Sequence, residues 1–165
     1  MFKEHDIQFV FGDLNFRIDL EDTIIKNHIK NNNYKELLTY DQFCKAKLVN
    51  SSLMEFEEGI INFDPTYKYD KGTNIYDTSK KKRSPAWCDR IFWKKTDDVE
   101  VISYNKVDYT DSDHKPVYGI YKIKTKKVLQ KEKEKLINEL KESLSLGLNI
   151  SNKDFTSSVI HSITI

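Results

Sequence analysis

The chain has 165 residues and a formal net charge of +1; 38% of the residues are hydrophobic, 12% aromatic and 32% charged. This aromatic and apolar content excludes a mostly disordered chain, and the length suits one ordinary domain. The small net charge gives no general indication of a nucleic acid or another polyanion as partner.

Membrane spans and disulfides are also not indicated. No apolar run approaches the roughly 20 residues that a membrane-spanning helix requires, and the first residues lack the pattern of a signal peptide. Cys44 and Cys88 are far apart and fit no metal-ligand spacing, which predicts reduced thiols. We therefore expect a cytoplasmic protein whose association with an anionic membrane surface is peripheral.

The first third of the chain contains a strand signal followed by helix signals. Residues 7–11 form an apolar run that stops at Gly12, which predicts a buried strand ending in a loop. Residues 21–48 carry apolar positions at helical spacing around a break at the asparagines 31–33. We expect two or more helices there.

The middle of the chain predicts short strands around one long loop. Residues 66–85 are polar, basic and rich in tyrosine, and a loop of that length in a compact domain is usually functional. The predicted strands are residues 60–63, 87–93, 99–104 and 117–123.

Residue 124 marks a change in composition. Residues 127–146 are highly charged, with Leu136, Leu140 and Leu144 at four-residue spacing, which predicts an amphipathic helix. Residues 149–165 predict a frayed tail or a single strand. We expect one domain in residues 1–124, and in residues 125–165 a helical linker and tail that could begin a following β domain.

Three loops that follow predicted strands carry reactive side chains: Asp13 with Asn15, Asp89, and Asp113 with His114. Loops at the ends of strands often hold catalytic groups, because a rigid sheet positions them. Hydrolysis of a phosphate ester needs a base for water, donors for the developing charge and usually a metal. From chemistry alone two interpretations stay open: a catalytic cluster, or acids and amides that cap turns beside a histidine in a polar niche.

Five segments resemble the inositol polyphosphate 5-phosphatases. Residues 11–18 read FGDLNFRI and residues 83–91 read RSPAWCDRI, which are similar to the two signatures of that family. Between these two signatures lie the segments LTYDQ, EGI and PTYKYD, which occur in the same order in the family. Residues 112–117, SDHKPV, resemble the closing motif of the wider endonuclease/exonuclease/phosphatase superfamily.

The resemblance implies roles for the reactive side chains. Asp13 would activate the attacking water, and Asn15 would orient that aspartate or the phosphate. His114 would donate a hydrogen bond or a positive charge to the 5-phosphate, and Asp89 would hold the other ring nitrogen of His114. Asp113 would lie at or near a Mg²⁺ site, or act as a structural acid beside it; Mg²⁺ prefers oxygen ligands.

The resemblance also gives the basic loop a meaning. Tyr67, Lys68, Lys81 and Arg83 map onto the pieces by which the family recognises a neighbouring 4-phosphate. Arg90 would contact phosphate or form a structural ion pair, on the opposite face of its strand from the preceding aspartate. The implied partners are a phosphoinositide lipid or a soluble inositol phosphate, and no nucleic acid.

The implied fold is α/β (α+β), the C-terminal half of a four-layer β-sandwich flanked by helices, plus a C-terminal amphipathic helix. The family's first half carries an asparagine motif and a glutamate that binds Mg²⁺, so we expect this chain alone to lack half of the active site. Three functions are in competition. They are 5-phosphate hydrolysis, phosphoinositide binding without catalysis, and a nuclease of the same superfamily, against which the basic loop argues.

Overall fold

The computed structural model describes residues 5–145. The chain divides into two compact units, Met1–Lys124 and Thr125–Ile165. Its mixed helices and strands confirm the predicted α/β class. In chain order the elements are β1 (Phe9–Asp13), α1 (Asp22–Lys30), α2 (Tyr34–Leu37), α3 (Gln42–Val49), α4 (Ser51–Met54), β2 (Phe56–Glu58), β3 (Asp89–Lys94), β4 (Val99–Lys106), β5 (Val117–Ile123) and α5 (Gln130–Ser145).

Strand β3 is the centre of a three-stranded antiparallel sheet with the order β1-β3-β2. Aromatic and β-branched residues suit such a half-buried pleated surface, and Phe92 and Trp93 of β3 are both buried. In the register of β1 with β3, Phe9 lies opposite Trp93 and Asp13 lies opposite Asp89. This register brings two carboxylates together at one end of the sheet.

Strands β4 and β5 form a second, two-stranded antiparallel sheet. The register shifts between Val101 and Ser103, as a β-bulge does. Inward residues of this sheet, including Tyr104, pack into the core. The following strand β5 was predicted over the same residues that the structure shows.

The core lies around Trp87, which is fully buried together with Ile25 and Leu37. The indole Nε1 of Trp87 donates a hydrogen bond of 3.0 Å to the carbonyl of Phe63, so the polar atom of this buried ring is satisfied. Ile25 of α1 and Leu37 of α2 belong to the same core cluster as Trp87 and Tyr104, so these helices contribute to the core.

The predicted helical region is broken where the asparagines lie. Helix α1 has an Asp22–Lys26 ion pair of 2.8 Å at i,i+4 spacing and ends at Asn31. Asn32 has φ 55, a left-handed conformation that asparagine tolerates better than most residues and that stops a helix. Asp41 is the N-cap of helix α3, and its side chain accepts the Cys44 N–H at 3.0 Å.

The strand predicted at residues 60–63 is wrong; the strand is Phe56–Glu58, which pairs with β3. Ile61 and Phe63 are buried as a strand pattern would require. The backbone at Gly59, however, passes so close to Tyr104 that a Cβ there would lie 2.6 Å from its ring. The chain leaves the sheet at this crossing. β1 also differs from the expected buried strand, because Phe11 is 72% exposed.

Helix α5 of the second unit confirms the predicted amphipathic helix within the described residues. Leu136 and Leu140 are half-buried while Leu144 is exposed, and Lys135 and Glu139 form an i,i+4 ion pair of 3.9 Å. The tail predicted at residues 149–165 lies outside the described residues. Between residues 5 and 145, no helix has both the length and the apolar character needed to cross a membrane.

Candidate active site

Asp13 and Asp89 are held across the β1–β3 pair. The Leu14 N–H donates to the Cys88 carbonyl at 2.8 Å, which continues the pairing beyond the last residue of β1. The Asn15 N–H then donates to Asp13 Oδ1 at 2.9 Å, and Asn15 has φ 58. This tight turn, in a conformation that asparagine accepts, fixes the Asp13 carboxylate at the end of the sheet.

His114 lies against Asp89. Its Nδ1 is 2.9 Å from Asp89 Oδ2, and the Thr66 hydroxyl donates to the same oxygen at 2.8 Å. Because a carboxylate only accepts hydrogen bonds, Nδ1 carries the proton, and Nε2 is left for another partner. The contact is the one that the sequence motifs imply for this pair, and Thr66, which is fully buried, is an additional member.

A short ladder holds these groups together. Tyr67 exchanges two backbone hydrogen bonds with Ala86, of 3.1 and 2.8 Å, and the Lys115 N–H donates to the Thr66 carbonyl at 2.8 Å. Residues 66 and 67 therefore lie between the segment that leads to Asp89 and the segment that carries His114. The start of the long loop is part of the scaffold of the site.

Lys115, the residue after His114, is a fully buried cation. Its Nζ donates to the Thr73 carbonyl at 3.2 Å, the Asn74 Oδ1 at 2.7 Å and the Tyr109 carbonyl at 3.0 Å. Burial lowers the pKa of this ammonium, while nearby Asp108 opposes the effect. Three acceptors satisfy all three of its protons, so Lys115 fastens the long loop beside His114.

Arg17 connects Asn15 with Tyr67. Its Nη2 donates to Asn15 Oδ1 at 2.6 Å, and its guanidinium lies 4.3 Å from the centre of the Tyr67 ring. The Tyr67 ring in turn lies 4.7 Å from the His114 ring. Since Oδ1 of Asn15 is engaged by Arg17, the amide NH₂ of Asn15 is its free donor. The position of Arg17 two residues after Asn15 in the first signature is the only sequence signal for this role.

Asp13, Asp89 and His114 form the one group of potential metal ligands found among residues 5–145, with ligand atoms within 4.8 Å of one another. Two carboxylates fit a hard cation such as Mg²⁺ or Ca²⁺, which takes oxygen ligands and fills remaining positions with water. Asp113, the residue predicted for Mg²⁺, is not in this group. It is half-buried, and its carbonyl accepts the Tyr69 N–H at 2.9 Å.

The basic residues of the long loop differ in their surroundings. Lys68 is half-buried, whereas Lys81 and Arg83 are exposed. Neither Lys81 nor Arg83 makes a side-chain hydrogen bond or ion pair with any described residue. Their charged groups are therefore available to a ligand.

A model of endonuclease/exonuclease/phosphatase family 2 matches residues 1–120. The chain belongs to this family.

Within the family, the chain is similar to inositol 5-phosphatases. The synaptojanin of Caenorhabditis elegans is 40% identical over 143 residues, which are 85% of this chain and 13% of that protein. Phosphatidylinositol 4,5-bisphosphate 5-phosphatase A of Rattus norvegicus is 44% identical over 131 residues, 69% of this chain and 13% of that protein. These similarities confirm the resemblance to the inositol polyphosphate 5-phosphatases, of which the chain spans only a small part.

Two solved structures with a similar fold bind different ligands. The inositol polyphosphate 5-phosphatase domain of SpSynaptojanin, in complex with inositol (1,4)-bisphosphate and a calcium ion, has a TM-score of 0.68 at 36% identity, covering 88% of this chain and 44% of that chain. The ferrous NO complex of Cimex nitrophorin has a TM-score of 0.64 at 31% identity, covering 73% and 42%. Because one fold carries such different ligands, function has to be argued from the site.

The structure corrects the assignment of Arg90 to the substrate in this family member. Arg90 is 1% exposed; its Nη2 lies 2.6 Å from Glu58 and its Nη1 3.1 Å from Asp41. Burial lowers the pKa of the guanidinium, but the bonds to Glu58 and Asp41 outweigh it and raise the pKa overall. Of the two roles that the sequence left open, the structure shows the ion pair, on the face of β3 opposite Asp89.

Proposed function

We propose that the protein hydrolyses the 5-phosphate of phosphoinositides such as phosphatidylinositol 4,5-bisphosphate, or of soluble inositol polyphosphates. The observation that carries this proposal is the Asp89–His114 pair of 2.9 Å placed beside Asp13 at one end of the sheet. The activity in the name of the Rattus norvegicus relative, a phosphatidylinositol 4,5-bisphosphate 5-phosphatase, supports the same reaction.

Each side chain has a task in that reaction. Asp13 accepts a proton from the attacking water, as a carboxylate base does. The NH₂ of Asn15 donates hydrogen bonds to the phosphoryl oxygens. The Nε2–H of a doubly protonated His114 does the same, while Asp89 accepts the Nδ1–H of that ring. Such donors act most strongly where the charge develops in the transition state.

A divalent cation is the proposed cofactor, with Mg²⁺ as our choice. Asp13 and Asp89 would hold it, with Asp113 close by, and the ion would supply positive charge to the phosphoryl oxygens. The calcium ion of the SpSynaptojanin complex supports a divalent cation in this fold.

The basic loop is the proposed contact for the rest of the substrate. Tyr67 and Lys68, with Lys81 and Arg83, would bind a phosphate next to the scissile one. A guanidinium takes such a group bidentately and an ammonium adds a point charge. Each neighbouring exposed lysine would contribute about 1 kcal/mol to the binding of an anionic lipid surface. This fits a cytoplasmic protein at the membrane periphery.

The test uses the full-length protein and measures phosphate release from phosphatidylinositol 4,5-bisphosphate. Asp13→Ala and His114→Ala should each lower kcat by about 10²–10⁴-fold, the range for loss of a general acid–base group. His5→Ala is the control, because His5 is an exposed histidine outside the strand that carries Asp13. Chelation should abolish release and Mg²⁺ should restore it. Full turnover by either variant would contradict the assigned roles.

A second candidate is phosphoinositide binding without catalysis. It is favoured by Lys81 and Arg83 of the basic loop, whose charged groups have no partner among the described residues. Vesicle binding that depends on the 4-phosphate, together with no phosphate release by the full-length protein, would select this candidate.

A further inference from the structure

Asp77 is a buried carboxylate around which the basic part of the long loop is folded. It is 3% exposed. Its Oδ1 accepts the Ser79 N–H at 3.0 Å and its Oδ2 accepts the Arg83 N–H at 2.8 Å. The Asp77 N–H donates to the Lys68 carbonyl at 2.9 Å. One residue therefore connects the backbone of Lys68 with that of Arg83.

The segment between Asp77 and Arg83 is a closed turn. The Lys81 N–H donates to the Ser79 hydroxyl at 3.3 Å, and the Lys82 N–H donates to the Ser79 carbonyl at 3.0 Å. Lys82 has φ 42, a left-handed conformation that is unfavourable for a lysine. The backbone beneath these basic residues is thus held by bonds that converge on Asp77 and Ser79.

The charge of Asp77 is secured by the same bonds. The Arg83 N–H and the Ser79 hydroxyl, with smaller effects from the Ser79 N–H and the Lys68 ammonium, outweigh burial and lower the pKa of Asp77 to about 2. The carboxylate is therefore ionised at neutral pH and accepts two charge-assisted hydrogen bonds.

The side chains above this turn are left free. Lys81 and Arg83 are exposed and have no side-chain partner among the described residues. Ordering a backbone loses conformational entropy. Because the backbone of this turn is already held, less entropy is lost when a ligand binds Lys81 and Arg83. Lys68 follows Tyr67, whose ring contacts His114, so the turn is connected to the catalytic pair.

We propose that Asp77 is a positioning residue that sets the preference for substrates carrying a second phosphate beside the scissile one. It acts through Lys68 and Arg83, whose backbones it holds in place. The inference rests on the proposed function and adds a determinant of specificity to it. The inositol (1,4)-bisphosphate in the SpSynaptojanin complex carries a phosphate of the kind that these cations would bind.

The test is Asp77→Asn in the full-length protein. An amide has the same shape but only one acceptor oxygen, so its NH₂ would face one of the two backbone N–H donors. Asp70→Asn is the matched control. Asp70 lies in the same loop and also accepts two bonds, from the N–H and hydroxyl of Thr78 at 3.2 and 2.7 Å, but it has no bond to Arg83.

The readout is the ratio of kcat/KM for inositol 1,4,5-trisphosphate to that for inositol 1,5-bisphosphate. Asp77→Asn should lower this ratio about tenfold, the size expected for loss of one charge-assisted hydrogen bond, and Asp70→Asn should leave it within about twofold. In an Arg83→Ala background, Asp77→Asn should have a smaller effect on the ratio. An equal loss on both substrates would overturn the proposal, because that is what a merely structural role produces.

A binding assay separates this inference from the proposed function. Phosphatidylcholine vesicles with phosphatidylinositol 4-phosphate are compared with vesicles containing phosphatidylinositol. If the wild-type protein releases no phosphate, the proposed function fails, yet weaker binding of Asp77→Asn to the first vesicles alone still supports the inference. Wild-type binding by Asp77→Asn, or no preference in the wild-type protein itself, would overturn it.

Discussion

Replacement of Arg90 by methionine tests how much the buried ion pairs of Arg90 with Glu58 and Asp41 stabilise the fold. The Arg90 Nε and Nη2 donate to the two oxygens of Glu58 at 2.7 and 2.6 Å. Its Nη1 lies 3.1 Å from both oxygens of Asp41. Methionine keeps an unbranched apolar side chain but removes every hydrogen-bond donor.

The expected effect follows from what is left behind. Asp41 is fully buried and the Glu58 side chain is 11% exposed, so the variant contains two buried carboxylates without their cation. Breaking a buried ion pair from one side destabilises a protein by about 3–5 kcal/mol. For a unit of this size, that corresponds to a fall in Tm of roughly 10–20 °C.

The assay is urea unfolding and thermal melting, followed by circular dichroism. Lys94→Met on the same strand is the matched control. Lys94 forms an ion pair of 3.4 Å with Glu55, with side chains 43% and 61% exposed; such surface pairs contribute about 0–1 kcal/mol. Arg90→Lys should also destabilise strongly, because an ammonium cannot reproduce the planar fork.

Similar stability of Arg90→Met and Lys94→Met would refute the reasoning. It would mean that neutralisation or water entry removes the penalty of the two unpaired carboxylates. The assignment of Arg90 to the ion pair rather than to substrate would then rest on its burial alone.

Three further predictions concern the site and the thiols. Thr66→Val should lower kcat about tenfold, since it removes a hydrogen bond to the charged Asp89, whereas Thr66→Ser, which keeps the hydroxyl, should lose less; an unchanged kcat in Thr66→Val would exclude Thr66 from positioning Asp89. Arg17→Met, which has no donor, should lower kcat more than Arg17→Lys, which retains a donor for Asn15; equal activities, measured as phosphate release, would contradict that role. Burial raises the pKa of the Cys88 thiol to about 12, so its neutral form is favoured in the folded protein and stability should be lost as pH rises above about 9. Alkylation by iodoacetamide at pH 8.5 should be slow in native protein and fast in urea, and equal rates would contradict the burial of Cys88.

Much of the fold could be predicted from local patterns. The period of β5 and the break at the asparagines after α1 are local signals, so they were found. The prediction of a strand at residues 60–63 was wrong because the backbone at Gly59 passes close to the Tyr104 ring. This contact joins residues far apart in sequence. Buried and exposed residues still alternate from residue 59 to residue 63, so the sequence pattern does not distinguish this segment from a strand.

The site shows the same division. The motifs predict Asp13, Asp89 and His114 in loops. In the structure Asp13 is the last residue of β1 and Asp89 the first of β3, and the two carboxylates lie together with His114. The role of Arg90 could not be decided, since its partners Asp41 and Glu58 lie 49 and 32 residues away. Asp77 was missed because its importance lies in bonds to backbone N–H groups, which every residue has.

Through Lys115, the long loop and His114 open to solvent together. The Lys115 ammonium is bound by Thr73, Asn74 and Tyr109, and the Lys115 backbone is covalently joined to His114. The loop cannot lift away without either breaking three bonds to a buried charge or moving the histidine with it. Local unfolding of this region is therefore cooperative. In hydrogen exchange, the amides of Tyr67, Ala86 and Lys115 should lose their protection together, as one unit.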